Sequence, residues 1–167
     1  MDEKIDMIEK TKIMVISTLK ENYKKFGYLT PVLLVLIDNK LIGKMIPSSF
    51  LKNAETKEIL ADNIKSMCLN PLVQMIIIII ESYYTMLHGE KDRGLFELLK
   101  DGNLRVSQLP SKKDCAFVLF ATPEKEDTRL YLLDPKNKTV GKNIVPENTK
   151  EVQGIFTDFF TLRNTQK

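Results

Sequence analysis

Six consecutive apolar residues, Met75 to Ile80, run without a polar interruption near the middle of the chain. A strand with one wet face alternates apolar and polar positions, whereas an unbroken run of this length reads as a strand covered on both sides. It is far shorter than the roughly 20 apolar residues that crossing a bilayer requires. Extended over Gln74 to Tyr84, the segment puts Met75, Ile77, Ile79, Glu81 and Tyr83 on one face. Ile76, Ile78, Ile80, Ser82 and Tyr84 fall on the other. The pattern therefore predicts a central strand that the rest of the chain must flank.

Around it the periodicity changes to that of helices and hairpins. Ile5, Ile8, Val15, Leu19, Tyr23 and Phe26 recur at steps of three and four, with Lys12 in the gap, and predict a helix over 2–25 that Gly27 ends. Val32 to Ile37, a turn at Asp38-Asn39-Lys40 and Leu41 to Ile46 predict a hairpin. After Pro47-Ser48-Ser49, Asn53 is placed as an N-cap for a helix whose inner face carries Leu60, Ile64, Met67 and Cys68. Residues 87–113 show the least pattern, with a short helix expected over Gly94 to Leu99. Cys115 to Ala121, Thr128 to Leu133 and Thr139 to Val145 read as strands. Asn148 and Glu151 have capping-box spacing ahead of Val152, Ile155, Phe156 and Phe159, which predict a closing helix. Hairpins and helices in this order argue for a single α+β domain over 1–167. Its expected architecture is one mainly antiparallel sheet of five to six strands with helices packed against it.

Composition narrows the classes of function. Twenty-five basic residues nearly balance 22 acidic ones, for a formal net charge of +3, so no strong field favours nucleic acid or anionic lipid. The opening MDEKIDMIEK lacks a basic leader followed by an apolar run, and no segment is long and apolar enough to span a membrane. Cys68 and Cys115 are far apart without CxxC spacing and sit in apolar patterns, which reads as buried thiols in a cytoplasmic chain.

Several stretches together carry a resemblance. PVLLVLI, the Pro47-Ser48-Ser49-Phe50 break, a helix, IIIESYY, a loop leading to LPSKKDCAFVLF and a strand pair around Asp134 follow one another in this order. Over roughly residues 30–145 the layout resembles a family of small uncharacterised prokaryotic and phage proteins. In these, a strand ends in Ser-Glu and an aromatic, and a loop leads to Pro-x-(Arg/Lys)-Lys-(Asp/Glu). The matching positions are Glu81 with Tyr83, and Pro110 with Lys112, Lys113 and Asp114, although here the glutamate precedes Ser82. The resemblance implies an α+β fold and no particular activity.

Candidate chemistry is sparse. The seven glycines form no phosphate-binding loop of the GxGxxG or GxxxxGK[ST] kind. His88 is the one histidine, so any nucleophile with an imidazole base must use it. If 88–92 were extended, His88, Glu90 and Asp92 would project to one side as a metal-ligand set, but no second His or Cys completes it, and a solvated turn is the simpler reading. Glu81, directly after the isoleucines, is the candidate catalytic carboxylate, since burial there would raise its pKa, although the simpler reading is that the strand leaves the core there and Glu81 meets water or a lysine. Arg105, Lys112 and Lys113 are the candidate phosphate contacts, interleaved with acidic residues that argue against nucleic acid. Phe160 and Leu162 widen the apolar stripe of the closing helix and are the candidate contact of a homodimer. These observations favour a binding or assembly protein without catalysis, cofactor or metal. The alternatives are an accessory protein that binds nucleic acid weakly and a hydrolase-like enzyme centred on Glu81.

Overall fold

The computed structural model describes residues 3–101, 103–145, 156 and 158–165. The first helix, α1 (Glu3–Phe26), ends where Gly27, at φ +77°, returns its N–H to the Tyr23 carbonyl at 2.7 Å. Strands β1 (Val32–Ile37) and β2 (Lys40–Met45) form a hairpin. Asp38 and Asn39 both take positive φ, 47° and 59°, as a two-residue turn between right-twisted strands requires. That turn is tied to the rest of the sheet, because Gln74 and Asn39 exchange two hydrogen bonds of 2.8 Å.

Helix α2 (Ala54–Cys68) begins at Asn53, whose side chain accepts from the Thr56 N–H at 2.9 Å. The helix carries the chain from β2 to the long central strand β3 (Val73–Tyr84). After β3 come α3 (Arg93–Lys100) and three further strands, β4 (Lys113–Ala121), β5 (Glu126–Asp134) and β6 (Thr139–Asn143). The last element is the short α4 (Thr161–Thr165). All six strands join in one antiparallel sheet of order β2-β1-β3-β4-β5-β6, so the fold is α+β.

Two cores flank the sheet, which explains the unbroken apolar run. Met75, Ile77 and Ile79 of β3 pack under α1 with Val15, Leu19 and Tyr23. Ile76 and Ile78 face the opposite way, toward Leu60, Ile64 and Cys68 of α2 and toward Phe159 and Phe160. Covering both faces of β3 leaves Met75 through Ile78 fully buried. No helix among the described residues is long and apolar enough to cross a membrane.

Three expectations need correction. Met67, placed on the inner face of its helix, is 41 % exposed, because the buried stripe runs through Leu60, Ala61, Ile64 and Cys68. Phe26 is half exposed where α1 overruns the sheet, while Lys12 is buried in the stripe. Residues 89–92 form a turn of 3₁₀ helix, in keeping with the turn read there and not with the extended metal-ligand alternative. Phe159 and Phe160 occupy a turn, preceded by Asp158 at φ +57°, and the helix starts only at Thr161. The side chain of Ile5, and the expected helix start at Asn148, Glu151, Val152 and Ile155, lie outside the described residues.

Candidate functional site

A concavity lies on the α1 side of the β1–β2 half of the sheet. It is an apolar cleft of about 550 Å³. Met14, Thr18, Asn22 and Phe26 of α1 make one wall, and Tyr28 and Leu29, just past the helix end, make another. Val32, Leu34, Leu41, Met45 and Ile79 form the floor. None of the lining side chains carries a charge. Four of them, Met14 (50 %), Phe26 (50 %), Tyr28 (59 %) and Met45 (70 %), expose large apolar surface at the rim.

The floor is shaped by Gly43. Register pairs Gly43 with Leu34, and a Cβ at this position would sit 2.9 Å from Leu34 Cδ2. The missing side chain lets Leu34 lean across the edge strand and keeps the cleft open beside it. A glycine inside an otherwise regular strand is the one signal in the sequence that marks this spot.

Glu81 holds the end wall of the cleft. Its Oε1 accepts the Leu29 N–H at 2.6 Å, which fastens the segment after α1 to β3. The carboxylate is exposed, not buried beneath the isoleucine run, because both core faces open at the end of β3. Its negative charge, after burial itself, helps push the phenol pKa of nearby Tyr23 upward. The arrangement gives Glu81 a positioning task at the edge of the cleft, with the Tyr23 phenol nearby.

The other candidates are placed apart from the cleft. The Asp92 carboxylate accepts the His88 N–H at 2.8 Å. Among the described residues, no group of three or more His, Cys, Asp or Glu is arranged to hold a metal ion. Lys112 donates to the Ser107 carbonyl at 2.8 Å and sits 4.8 Å from the centre of the Tyr83 ring, so its charge closes the long loop. Arg105 takes part in a local turn, its N–H donating to Gln108 Oε1 at 2.8 Å, and Lys113 opens β4 opposite Tyr84. The three basic residues thus belong to one loop end, where Lys112 is already engaged. Burial pushes the Cys68 thiol up to about 12 and the Cys115 thiol to about 11, which makes both poor nucleophiles.

Phe160 is 3 % exposed and packs into the α2-side core, whereas Leu162 is 53 % exposed. The segment that carries them is fastened by polar groups that the sequence alone does not single out. Glu126 accepts the Phe159 N–H at 3.1 Å. Arg163 donates to the Val73 carbonyl at 2.8 Å and the Pro71 carbonyl at 3.1 Å. A second unanticipated cluster lies under α1, where Lys12 and Arg129 share Asp127 and both stand over the Phe120 ring.

Compared with protein-family models, curated proteins and solved structures, the chain matches none.

Proposed function

We propose that the protein is a non-enzymatic binding or assembly module and that the cleft between α1 and the β1–β2 half is its site. The observation that carries this reading is an apolar, uncharged concavity of about 550 Å³ whose rim residues Phe26, Tyr28 and Met45 remain exposed. Its size lies in the range of roughly 300–1,000 Å³ usual for clefts that take ligands or anchoring side chains. Exposed apolar surface gathered around a concavity is what binding surfaces look like, and scattered single residues are not. Thr18, Asn22 and Thr30 supply the few neutral polar groups that would orient an occupant.

The reading is tested with a neutral, environment-sensitive dye such as Nile red. Its emission should rise and shift to the blue on mixing with the protein. Thr18→Phe, at an exposed position on the α1 wall, should fill the cleft and suppress that change without altering the melting temperature. A dye response that Thr18→Phe and Met45→Lys leave intact, or no response at all, would overturn the assignment.

A further inference from the structure

The same half of the sheet ends in an open strand edge. β2 is the outermost strand beside the cleft, and its outer side meets no other strand among the described residues. The ladder fixes which backbone groups point outward. In the hairpin, Ile37 and Lys40 flank the two-residue turn and form a hydrogen-bonded pair, and pairs alternate from there. Consistent with that phase, the Ile46 N–H donates to the Pro31 carbonyl at 2.9 Å. Leu41, Gly43 and Met45 therefore turn both N–H and C=O away from β1.

These three residues are also the ones whose faces meet the cleft. Leu41 and Met45 line its floor, and Gly43 leaves the notch that Leu34 leans into. On the opposite face of β2 stand Lys40, Ile42 and Lys44, all exposed. The strand has two cations and no acidic residue. We infer that β2 receives an extended peptide segment as a seventh strand, with apolar residues alternating with acidic ones. This rests on the cleft being the binding site and names the partner that fits it. The apolar residues of the added strand point into the cleft across Gly43. The acidic ones lie opposite Lys40 and Lys44, where a cross-strand pair of opposite charge is favourable. A second copy of this chain is a poorer occupant. Two β2 strands paired antiparallel about Ile42 would set Lys40 of one copy against Lys44 of the other, and paired about Gly43 they would set both lysines against Ile46 and Ile42, so neither register gives the lysines an acidic partner.

The experiment uses the full chain and a capped peptide alternating valine and glutamate, long enough to span β2. Hydrogen exchange followed by NMR reads the ladder directly. Binding should slow exchange of the Leu41, Gly43 and Met45 amides and shift the signals of Met14 and Phe26. A peptide N-methylated at two of its ladder-forming amides leaves the protein untouched and should bind about tenfold more weakly, the loss expected for two net hydrogen bonds. A valine–lysine peptide should bind more weakly than the glutamate one. Lys40→Glu with Lys44→Glu, both at exposed positions, should reverse that order. Equal affinity of the N-methylated peptide, or no reversal by the charge variant, would overturn the strand-addition inference. In that case continued shifts at Met14 and Phe26 would leave the cleft as the site. Slow exchange of Leu41, Gly43 and Met45 in the free protein, together with a dimer mass by light scattering, would also overturn it, by assigning the edge to a second copy. Silence of both the peptide and Nile red would remove the cleft reading itself.

Discussion

Lys12 Nζ lies 3.4 Å from the Asp127 carboxylate across 115 residues of sequence, and the lysine side chain is only 4 % exposed. Asp127 is held more firmly from its own strand, by Arg129 at 2.8 Å, while Glu9, the other carboxylate near Lys12, is half exposed. The two ends of the Lys12–Asp127 pair are thus unequally dependent on each other. Removing one member of a buried pair strands the other charge, whereas replacing a buried charge by an apolar side chain of similar shape is often nearly neutral.

Asp127→Ala should therefore cost about 2–3 kcal/mol, since among the described ion pairs it leaves the buried Lys12 with the half-exposed Glu9. Lys12→Met should stay within about 1 kcal/mol of the wild type, because Asp127 keeps Arg129 and the methionine stem fills the same slot against Phe120. Urea denaturation of the two variants checks this. The reverse order would mean that Lys12, not Asp127, organises the cluster.

Two neighbouring carboxylates on β5 should give opposite pH dependences. Burial pushes Asp127 up, but the Arg129 hydrogen bond and charge, with Lys12, outweigh it and hold its pKa below the ordinary value. Its contribution is present above the unfolded pKa of about 3.9 and is lost as the pH falls through the lower folded value. For Glu126 burial wins over the N–H groups of Phe159 and Asp158, and its pKa is raised. Its ionisation costs stability as the pH rises from the unfolded value of about 4.3 through the folded one. Melting curves against pH should show Asp127→Asn flattening the acid limb below about pH 4. Glu126→Gln keeps an oxygen for the Phe159 N–H, and should match or exceed the wild type at pH 7. A Glu126→Gln protein that melts well below the wild type at pH 7 would contradict the assignment.

Much of the fold was legible because burial on two faces writes itself into sequence. The run through Ile80, the Asp38-Asn39 turn and the Asn53 cap each rest on local chemistry and appear where local chemistry puts them. The cleft was not legible in that way. Met14, Tyr28 and Met45 are single apolar residues in three different segments, and only the fold gathers them. Lys12 looked like an interruption because its partner Asp127 is remote in sequence. For Glu81 the sequence offered a buried acid and, as the simpler reading, a residue past the end of the core; the choice is a tertiary fact, and β3 leaves the core there. Phe159 and Phe160 fitted a helical stripe, yet Glu126 takes the Phe159 N–H that a continuing helix would have used.

Ile78 is fully buried at the middle of β3, between Leu33 on β1 and Leu119 on β4. Ile78→Ala should destabilise the protein by about 2–5 kcal/mol, the range for truncating a large aliphatic side chain in a core. A calorimetric melt unchanged within error would contradict a strand packed on both faces.

Glu81 should act through its acceptor oxygen and not through its charge. Glu81→Gln retains an oxygen for the Leu29 N–H and should leave stability and Nile red binding nearly unchanged. Glu81→Ala orphans an N–H on a residue only 9 % exposed, and should cost about 1–3 kcal/mol while weakening dye binding as the Leu29 wall loosens. Equal losses in both variants would show that the negative charge matters in its own right, as a catalytic or ion-binding role would require.

Phe160 and Leu162 stand two residues apart and should respond differently to the same substitution. Phe160 is packed in the α2-side core, so Phe160→Asp places a carboxylate among Ile64, Ile76 and Phe159 and should cost at least about 3 kcal/mol. Leu162 is half exposed, so Leu162→Asp should stay within about 0.5 kcal/mol. Neither change should alter the particle mass measured by light scattering at high micromolar concentration. Leu162→Asp converting a dimer to a monomer would instead place this end of the molecule in a contact between copies. Phe160→Asp melting with the wild type would show that the ring is dispensable to the core, contrary to its burial.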